Sequence, residues 1–186
     1  GKYDRIPVLD MGPYLAGEPG AREQLATQLR HVQENIGFYV VTNNGVDFSR
    51  LDAAYEALKK FFALPIDEKL KFSIDDTSLG YVPIRSTVYI TSIINENTKK
   101  DLNETLTLAR ERPADHPAVK QRRRFHGPNR WPEIEGFRDA VVAYQETIAA
   151  LGHNLLPLYA LALDKPADFF DPYFNDPIMW SRNAYY

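Results

Sequence analysis

The sequence contains no cysteine, and this absence excludes several kinds of chemistry. Without thiols the chain has no disulfide framework, no thiolate metal site and no cysteine nucleophile. Absence of cysteine fits a reducing compartment, and we expect a cytoplasmic protein. Long apolar runs are also missing. No segment approaches the ~18 consecutive apolar residues of a transmembrane helix, and residues 1–5 lack the apolar core of a signal peptide.

A strong charge of either sign is absent as well. The 22 Lys and Arg residues nearly balance the 25 Asp and Glu residues, which gives a net charge of -3 at pH 7. This balance provides no overall attraction to phosphate backbones, so we expect no nucleic-acid partner. Hydrophobic residues make up 44% of the chain, which is typical of a folded protein and not of a disordered one. We interpret residues 1–186 as a single unit with one core.

The beginning of the chain shows the pattern of a β-α-β unit. Residues 6–10 form a short apolar run, and a turn-rich stretch separates them from a predicted helix. One face of this helix is apolar and consists of Leu25, Leu29, Val32 and Ile36. Gly37 fits the position just past the helix end. Residues 38–41 then predict a buried strand, which ends at a turn over residues 43–45.

A second helix is predicted to end at Pro65, because proline stops a helix that precedes it. Asp47 or Ser49 can cap its N-terminus. Apolar residues recur along it at spacings of three and four, namely Phe48, Leu51, Tyr55, Leu58 and Phe62. This spacing predicts one apolar stripe that packs against a core.

The middle of the chain favours strands and one long loop. Residues 87–91 and 93–94 are the strongest strand candidates, and residues 102–108 alternate cleanly between apolar and polar side chains. The stretch 113–132 holds four prolines and the basic run 122–124, so we predict an irregular surface loop. We interpret the basic run as a solvated face, with steering of an anionic substrate as the alternative.

The longest predicted helix covers residues 134–163, in which apolar residues again recur at steps of three and four. Gly152 and Pro157 lie inside this pattern. Because Pro157 cannot donate a backbone hydrogen bond, we expect a kink or a break between His153 and Pro157. Residues 179–186 then predict a strand.

Several short motifs occur in a fixed order along these elements. They are the run of residues 61–71, which contains Phe61-Phe62-x-Leu64-Pro65 and Lys69, then Gly80-Tyr81, Asp101-x-x-Glu104-Thr105, the segment 127–132 and the strand that ends in Tyr185-Tyr186. No single motif is specific, but their combined order covers nearly the whole chain. It resembles the N-terminal region of the isopenicillin N synthase-like Fe(II)/2-oxoglutarate-dependent oxygenases. The resemblance implies a mixed α/β fold, with helices packed on a partial β-sheet, as the N-terminal part of a double-stranded β-helix (jelly-roll) oxygenase.

Members of that family hold Fe(II) with a His-x-Asp pair and a later histidine. The chain has four histidines, and none is followed two residues later by Asp or Glu: His31, His116, His126 and His153. We therefore expect no catalytic and no metal-binding residue in this chain, which we expect to stop just before its catalytic centre. The resemblance implies Fe(II) and 2-oxoglutarate as cofactors of the intact enzyme. We expect the chain alone to bind neither and to be inactive.

Tyr186 is the candidate cofactor-binding residue. In family members the matching tyrosine can hydrogen-bond the 2-oxoglutarate carboxylate, and a phenol donates to an anion without adding charge. The alternative is a half-buried aromatic residue on a sheet. Arg182 is a further candidate, with a surface ion pair as its alternative. Asp101 and Glu104 do not form an acid–base pair, because a spacing of three on a strand places them on opposite faces.

The resemblance implies an oxygenase that oxidises a small molecule with dioxygen and releases succinate and carbon dioxide. Arg85, Tyr89 and Ile90 could line its substrate entrance, with ordinary edge-strand residues as the alternative. Two other functions stay open. One is a non-haem iron oxidase of the same fold that needs no 2-oxoglutarate. The other is a non-enzymatic interaction domain, against which an open sheet edge argues.

Overall fold

A computed structural model of the chain describes residues 5–86, 88, 94 and 99–186. Contacts divide the chain into two compact units. The first unit consists of Gly1–Phe48 and Glu146–Pro177, and the second consists of Ser49–Gln145 and Ile178–Tyr186. The interpretation of residues 1–186 as a single unit stays a prediction. None of the helices in the described part of the chain has the length and apolar character needed to cross a membrane.

The first unit begins with the predicted β-α-β arrangement. Strands β1 (Val8–Asp10) and β2 (Val40–Thr42) pair in parallel, with Val8 opposite Val40. Helices α1 (Gly12–Leu15) and α2 (Ala21–Asn35) connect them. Gly37 follows α2 with a φ of 82°, a left-handed conformation that glycine adopts without steric cost. The core of this unit contains the buried residues Leu9, Met11, Leu25, Ala26, Leu29, Val32 and Leu158.

The prediction that residues 38–41 are buried was wrong. Phe38 is 71% exposed and Val40 is 48% exposed, whereas Tyr39 and Val41 pack against the core. Successive side chains of an extended segment point to opposite faces, and only one face of this segment meets the core. The continuous apolar run at residues 38–41 is therefore buried on one face only.

The second unit contains a three-stranded antiparallel sheet in the order β3 (Gly80–Val82), β4 (Glu104–Ala109) and β5 (Trp180–Tyr185). Its helices are α3 (Phe48–Phe62), α4 (Ile66–Leu70), α5 (Pro117–Lys120) and the first part of α6 (Phe137–Ala162), which continues into the first unit. A short 3-10 helix, Asp171–Tyr173, belongs to the first unit. The core of the second unit contains the buried residues Ala57, Phe61, Phe62, Tyr81, Leu106, Leu108, Phe137 and Val141.

Strand β4 confirms the prediction for residues 102–108, although its bounds shift by one or two residues. The alternating pattern suggests one solvent face, but Thr105 and Thr107 are buried as well as Leu106 and Leu108. Both faces of β4 are therefore covered. The strands predicted at residues 87–91 and 93–94 lie largely outside the described residues.

Helix α3 exists as predicted, but only the C-terminal end of its predicted stripe is buried, because Phe62 lies in the core and Leu58 packs against it. Phe48, Leu51 and Tyr55 are exposed, and the buried residues are Ala54, Ala57, Phe61 and Phe62. The ring of Phe61 lies among those of Phe72, Tyr81 and Phe137, at centroid distances of 5.8, 5.9 and 6.1 Å. This aromatic cluster determines which face turns inward, because large rings provide most of the buried apolar area.

Helix α6 is continuous through Pro157, so the predicted break was wrong, whereas the alternative of a kink stays a prediction. Pro157 lacks the N–H group that would donate to the carbonyl of His153. On both sides of it, however, Leu155, Leu158 and Tyr159 belong to the core of the first unit. The free energy of this packing outweighs one missing backbone hydrogen bond.

The segment 113–132, predicted as an irregular loop, contains helix α5. Pro117 occupies its first turn, where a missing N–H costs nothing. His116 caps this helix, since its Nδ1 accepts a hydrogen bond from the backbone N–H of Ala118 at 3.2 Å. A four-residue helix is too short to produce a readable apolar period.

Candidate functional site

A groove of about 460 Å³ lies beside the end of β5 in the second unit. One wall belongs to α3 and includes the exposed residues Leu51 and Tyr55 and the partly buried Leu58. Tyr144 of α6 and residues 183–186 complete the lining. The apolar stripe that the sequence assigns to the core thus faces this groove.

Tyr186, the predicted cofactor-binding residue, lines the groove and is 85% exposed. It follows Tyr185, which pairs with Glu104 across the sheet. Because side chains alternate along an extended chain, Tyr186 continues the face of Arg182 and Ala184, opposite to that of Tyr185. The guanidinium of Arg182 lies 3.4 Å from the side-chain oxygen of Asn103. The role of Tyr186 in binding 2-oxoglutarate stays a prediction.

Three residues from three separate motifs meet in a buried polar cluster. The Nζ of Lys69 donates to Oε2 of Glu104 at 2.7 Å and to Oε1 at 3.0 Å. The hydroxyl of Tyr81 donates to the same Oε2. Lys69 is 7% exposed and Tyr81 is fully buried. In the sequence Tyr81 and Glu104 belong to two different motifs, and no pattern along the chain predicts their contact.

The ammonium group of Lys69 has an acceptor for each of its three protons. Beyond Glu104, it donates to the carbonyl of Phe62 at 3.0 Å. Phe62 is the last residue of α3, where the helix dipole favours a positive charge. Burial, followed by the hydrogen bond to Glu104, raises the pKa of Tyr81 well above its ordinary value. Tyr81 is therefore a neutral hydrogen-bond donor at physiological pH.

Gly80 explains why a glycine precedes Tyr81 in this motif. Its φ is +121°, and a Cβ atom there would lie 2.4 Å from the carbonyl oxygen of Phe72. That carbonyl accepts a 2.7 Å hydrogen bond from the N–H of Tyr81. Any larger residue would push β3 away from Phe72 and displace the Tyr81 hydroxyl from Glu104.

The four histidines lie at separate places in the fold. His31 is on α2, His116 caps α5, and His153 is on α6. The Nδ1 of buried His126 lies 2.8 Å from the carbonyl of Arg124. Within residues 5–86, 88, 94 and 99–186, no three His, Cys, Asp or Glu residues are grouped so that they could hold a metal ion. The expectation that the chain supplies no metal ligand stays a prediction.

The basic run 122–124 bonds to neighbouring side chains. Arg122 pairs with Asp76, with Nε 2.9 Å from Oδ2, and the hydrogen bonds from Arg122 hold the pKa of Asp76 below its ordinary value. Arg123 donates to Gln121 at 2.8 Å and Arg124 donates to Ser78 at 3.1 Å. These local bonds favour a solvated face over an anion-steering site. Of the suggested entrance residues, Tyr89 and Ile90 lie outside the described part of the chain.

Comparison with known proteins identifies the family. Residues 6–134 match the family described as non-haem dioxygenase in morphine synthesis N-terminal. The chain belongs to the 2-oxoglutarate/Fe(II)-dependent oxygenase family. It carries the N-terminal region of such an oxygenase, as the order of its motifs predicts.

Curated relatives of this oxygenase chain include proteins from fungi and plants. It is 30% identical to the 2-oxoglutarate-Fe(II) type oxidoreductase hxnY of Emericella nidulans, over 97% of this chain and 52% of that protein. It is 31% identical to the Kihadalactone A synthase LFS of Citrus sinensis, again over 97% and 52%. The chain thus spans about half the length of the curated relatives it matches.

Solved structures share the fold of this oxygenase region. A 2OG-Fe(II) oxygenase family protein from Caulobacter crescentus matches with a TM-score of 0.82 and 25% identity, over 99% of this chain and 57% of that one. A full-length Neurospora crassa protein in complex with alpha-KG matches with a TM-score of 0.69 and 24% identity, over 89% and 49%. The prediction of a mixed α/β fold of the oxygenase type is confirmed.

Proposed function

We propose that the complete protein is an Fe(II)- and 2-oxoglutarate-dependent oxygenase that oxidises a small molecule with dioxygen and releases succinate and carbon dioxide. The observation that carries this proposal is the family match over residues 6–134, supported by the fold match over 99% of the chain. Bound Fe(II) would supply the activation of dioxygen, which amino-acid side chains alone do not provide.

In this proposal the iron ligands lie outside residues 1–186. None of the four histidines begins a His-x-Asp pair, and the curated relatives are about twice as long as this chain. Helices α3, α4 and α6 would support the sheet on one side. In the described part of the chain β5 pairs with β4 alone, so its other edge is available for the further strands of a jelly-roll.

Tyr186 would donate a hydrogen bond to a carboxylate of 2-oxoglutarate. Its position supports this role, because it shares a strand face with Arg182 and its side chain is exposed. We further propose a small-molecule substrate, no nucleic-acid or membrane partner and a cytoplasmic location, which the net charge of -3 and the absence of cysteine support. The Neurospora crassa protein that shares this fold is also known in complex with thymine.

Succinate release by the full-length protein tests the proposal. The protein is loaded anaerobically with Fe(II), mixed with 2-oxoglutarate and a panel of small molecules, and exposed to dioxygen. We expect succinate only when iron, 2-oxoglutarate and dioxygen are all present. Dioxygen consumption with iron but independent of 2-oxoglutarate would indicate the oxidase alternative instead. A protein that binds no iron would favour the interaction-domain alternative.

A further inference from the structure

The buried cluster of Lys69, Tyr81 and Glu104 lies next to the strand end that carries Tyr186. We propose that these three residues form a positioning cluster, which fixes the end of β5 and thereby the position of Tyr186. The link to 2-oxoglutarate rests on the function proposed above. The link to the strand end rests on the geometry of the second unit alone.

The cluster controls both surfaces that Tyr185 contacts. Glu104 lies directly opposite Tyr185 in the antiparallel pairing of β4 and β5, so their side chains are neighbours on one face of the sheet. On that face the ring of Tyr185 stacks on the ring of Phe62, with centroids 5.4 Å apart and planes 17° apart. The carbonyl of Phe62 in turn accepts the hydrogen bond from Lys69. A shift of Lys69 or Glu104 would therefore displace Tyr185.

The chemistry of the cluster favours a positioning role over simple core filling. The side chains of Lys69 and Glu104 are only 9% and 12% exposed. A buried ion pair adds little stability compared with apolar residues of similar volume, but it is strongly directional. Here the carboxylate joins α4, β3 and β4 at one point, because its two oxygens receive bonds from Lys69 and Tyr81. Only a narrow range of arrangements of these elements satisfies all of these bonds.

The two ends of β5 are fixed by different contacts. At its beginning the ring of Trp180 stacks on Phe125, with centroids 4.6 Å apart and planes 12° apart. At its end Tyr185 stacks on Phe62, whose carbonyl accepts the hydrogen bond from Lys69. Loss of the cluster should loosen the Tyr185 end and leave the Trp180 end in place. This difference within a single strand separates local positioning from general destabilisation.

The test uses the full-length protein with Tyr81→Phe, which removes only the hydroxyl that donates to Glu104. Tyr39→Phe is the matched control, because its hydroxyl lies 2.8 Å from that of Tyr159 in the first unit. Amide hydrogen exchange is measured over residues 180–186, together with the dissociation constant of 2-oxoglutarate and kcat. Phe62→Leu is a second variant, which removes the ring stack without touching the polar groups.

We expect Tyr81→Phe and Phe62→Leu to speed exchange at residues 183–185 by about two- to tenfold, the equivalent of one hydrogen bond, while residues 180–181 stay unchanged. The dissociation constant of 2-oxoglutarate should rise by a similar factor, with kcat within about twofold of wild type. Tyr39→Phe should change neither quantity.

Unchanged exchange at 183–185, or unchanged affinity despite faster exchange, would overturn the inference. A wild-type protein that binds no 2-oxoglutarate would refute the proposed function, while the exchange data would still decide whether the cluster positions β5.

Discussion

Glu111 shows at the scale of single residues how one carboxylate joins distant parts of the second unit. Its Oε1 accepts a hydrogen bond from Nε1 of Trp131 at 2.7 Å, and its Oε2 accepts one from Nη2 of Arg138 at 2.6 Å. The bond from Arg138, and then that from Trp131, hold the pKa of Glu111 below its ordinary value. A lowered pKa in the folded state means that the charged form stabilises the fold.

We expect Glu111→Gln to lower the free energy of unfolding at pH 7 by about 0.5 to 1 kcal/mol, a small value because solvent screens a side chain that is 34% exposed. The contribution of the charged Glu111 side chain to the free energy of unfolding is fully present above the ordinary carboxyl pKa of 4.5. It is lost as the pH falls through the lower pKa that Glu111 has in the folded state. The two proteins should therefore converge in stability as the pH is lowered from 7 to below 4.5. Urea unfolding at several pH values measures this, with Glu133→Gln at an exposed position as control. A constant difference at all pH values would contradict the prediction.

Tyr186→Phe tests the predicted cofactor contact. In the complete enzyme we expect this change to weaken 2-oxoglutarate binding by about 0.5 to 3 kcal/mol, the range for a hydrogen bond to a charged group. Titration with 2-oxoglutarate under anaerobic conditions gives the affinity. The neighbouring Tyr185→Phe is the matched control, because it keeps the ring that stacks on Phe62 and alters the opposite face of the strand. Equal affinities for wild type and Tyr186→Phe would remove Tyr186 from the site.

Single-residue prediction from the sequence recognised the motifs but missed their contacts. Glu104 was compared only with Asp101, its neighbour along the chain, whereas its partners Lys69 and Tyr81 lie 35 and 23 residues away. Such partners become neighbours only when α4, β3 and β4 assemble, and no local period encodes that assembly. The only sequence signal for this contact was that two motifs of the same ordered set contain residues of opposite charge, Lys69 and Glu104.

At the scale of elements, periodicity predicted which segments are helices more reliably than which face they bury. The spacing of three and four along α3 was correct, yet the buried face is centred on Ala57 and Phe61 and the stripe through Leu51 and Tyr55 lines the groove. Both stripes have helical spacing. Which stripe is buried depends on the aromatic residues that contact Phe61, namely Phe72, Tyr81 and Phe137. These residues lie outside α3, so the local pattern of the helix does not reveal them.

Pro157 allows a test of how the continuous helix α6 tolerates a proline. We expect Pro157→Ala to raise the free energy of unfolding by about 1 to 2 kcal/mol, because alanine restores a backbone hydrogen-bond donor and favours a helix. Part of this gain is offset, because alanine gives the unfolded chain more conformational entropy than proline does. Pro117→Ala in the first turn of α5 is the control, and it should lower stability by about 0.4 to 1 kcal/mol, because proline there fits the backbone. Urea unfolding of each variant gives both values. A destabilising Pro157→Ala would show that the proline ring itself contributes essential packing.

For the whole molecule, the order of motifs along the chain was a stronger signal than any property of its composition. Composition excluded thiol chemistry and disfavoured nucleic acid, but the family followed from motifs that span residues 61–186. The division into two units had no comparable signal, because α6 carries one uninterrupted apolar period across the boundary at Gln145 and Glu146. Units that share a helix cannot be separated by a linker or a change of composition, which are the usual signs of a domain boundary.

We expect the iron of the complete protein to bind outside residues 1–186. We expect residues 1–186 alone to bind no stoichiometric Fe(II) and to release no succinate, whereas the complete polypeptide does both. A facial iron site needs three converging ligands, and the four histidines of this chain lie on α2, before α5, after α5 and on α6, none with Asp or Glu two residues later. Anaerobic calorimetry with Fe(II) and a succinate assay compare the two polypeptides, and circular dichroism confirms that the shorter one is folded. As a second arm, full-length variants His31→Gln, His116→Gln, His126→Gln and His153→Gln should each keep one equivalent of iron. Tight one-to-one binding by residues 1–186, or loss of iron from any of these variants, would place a metal ligand within this chain.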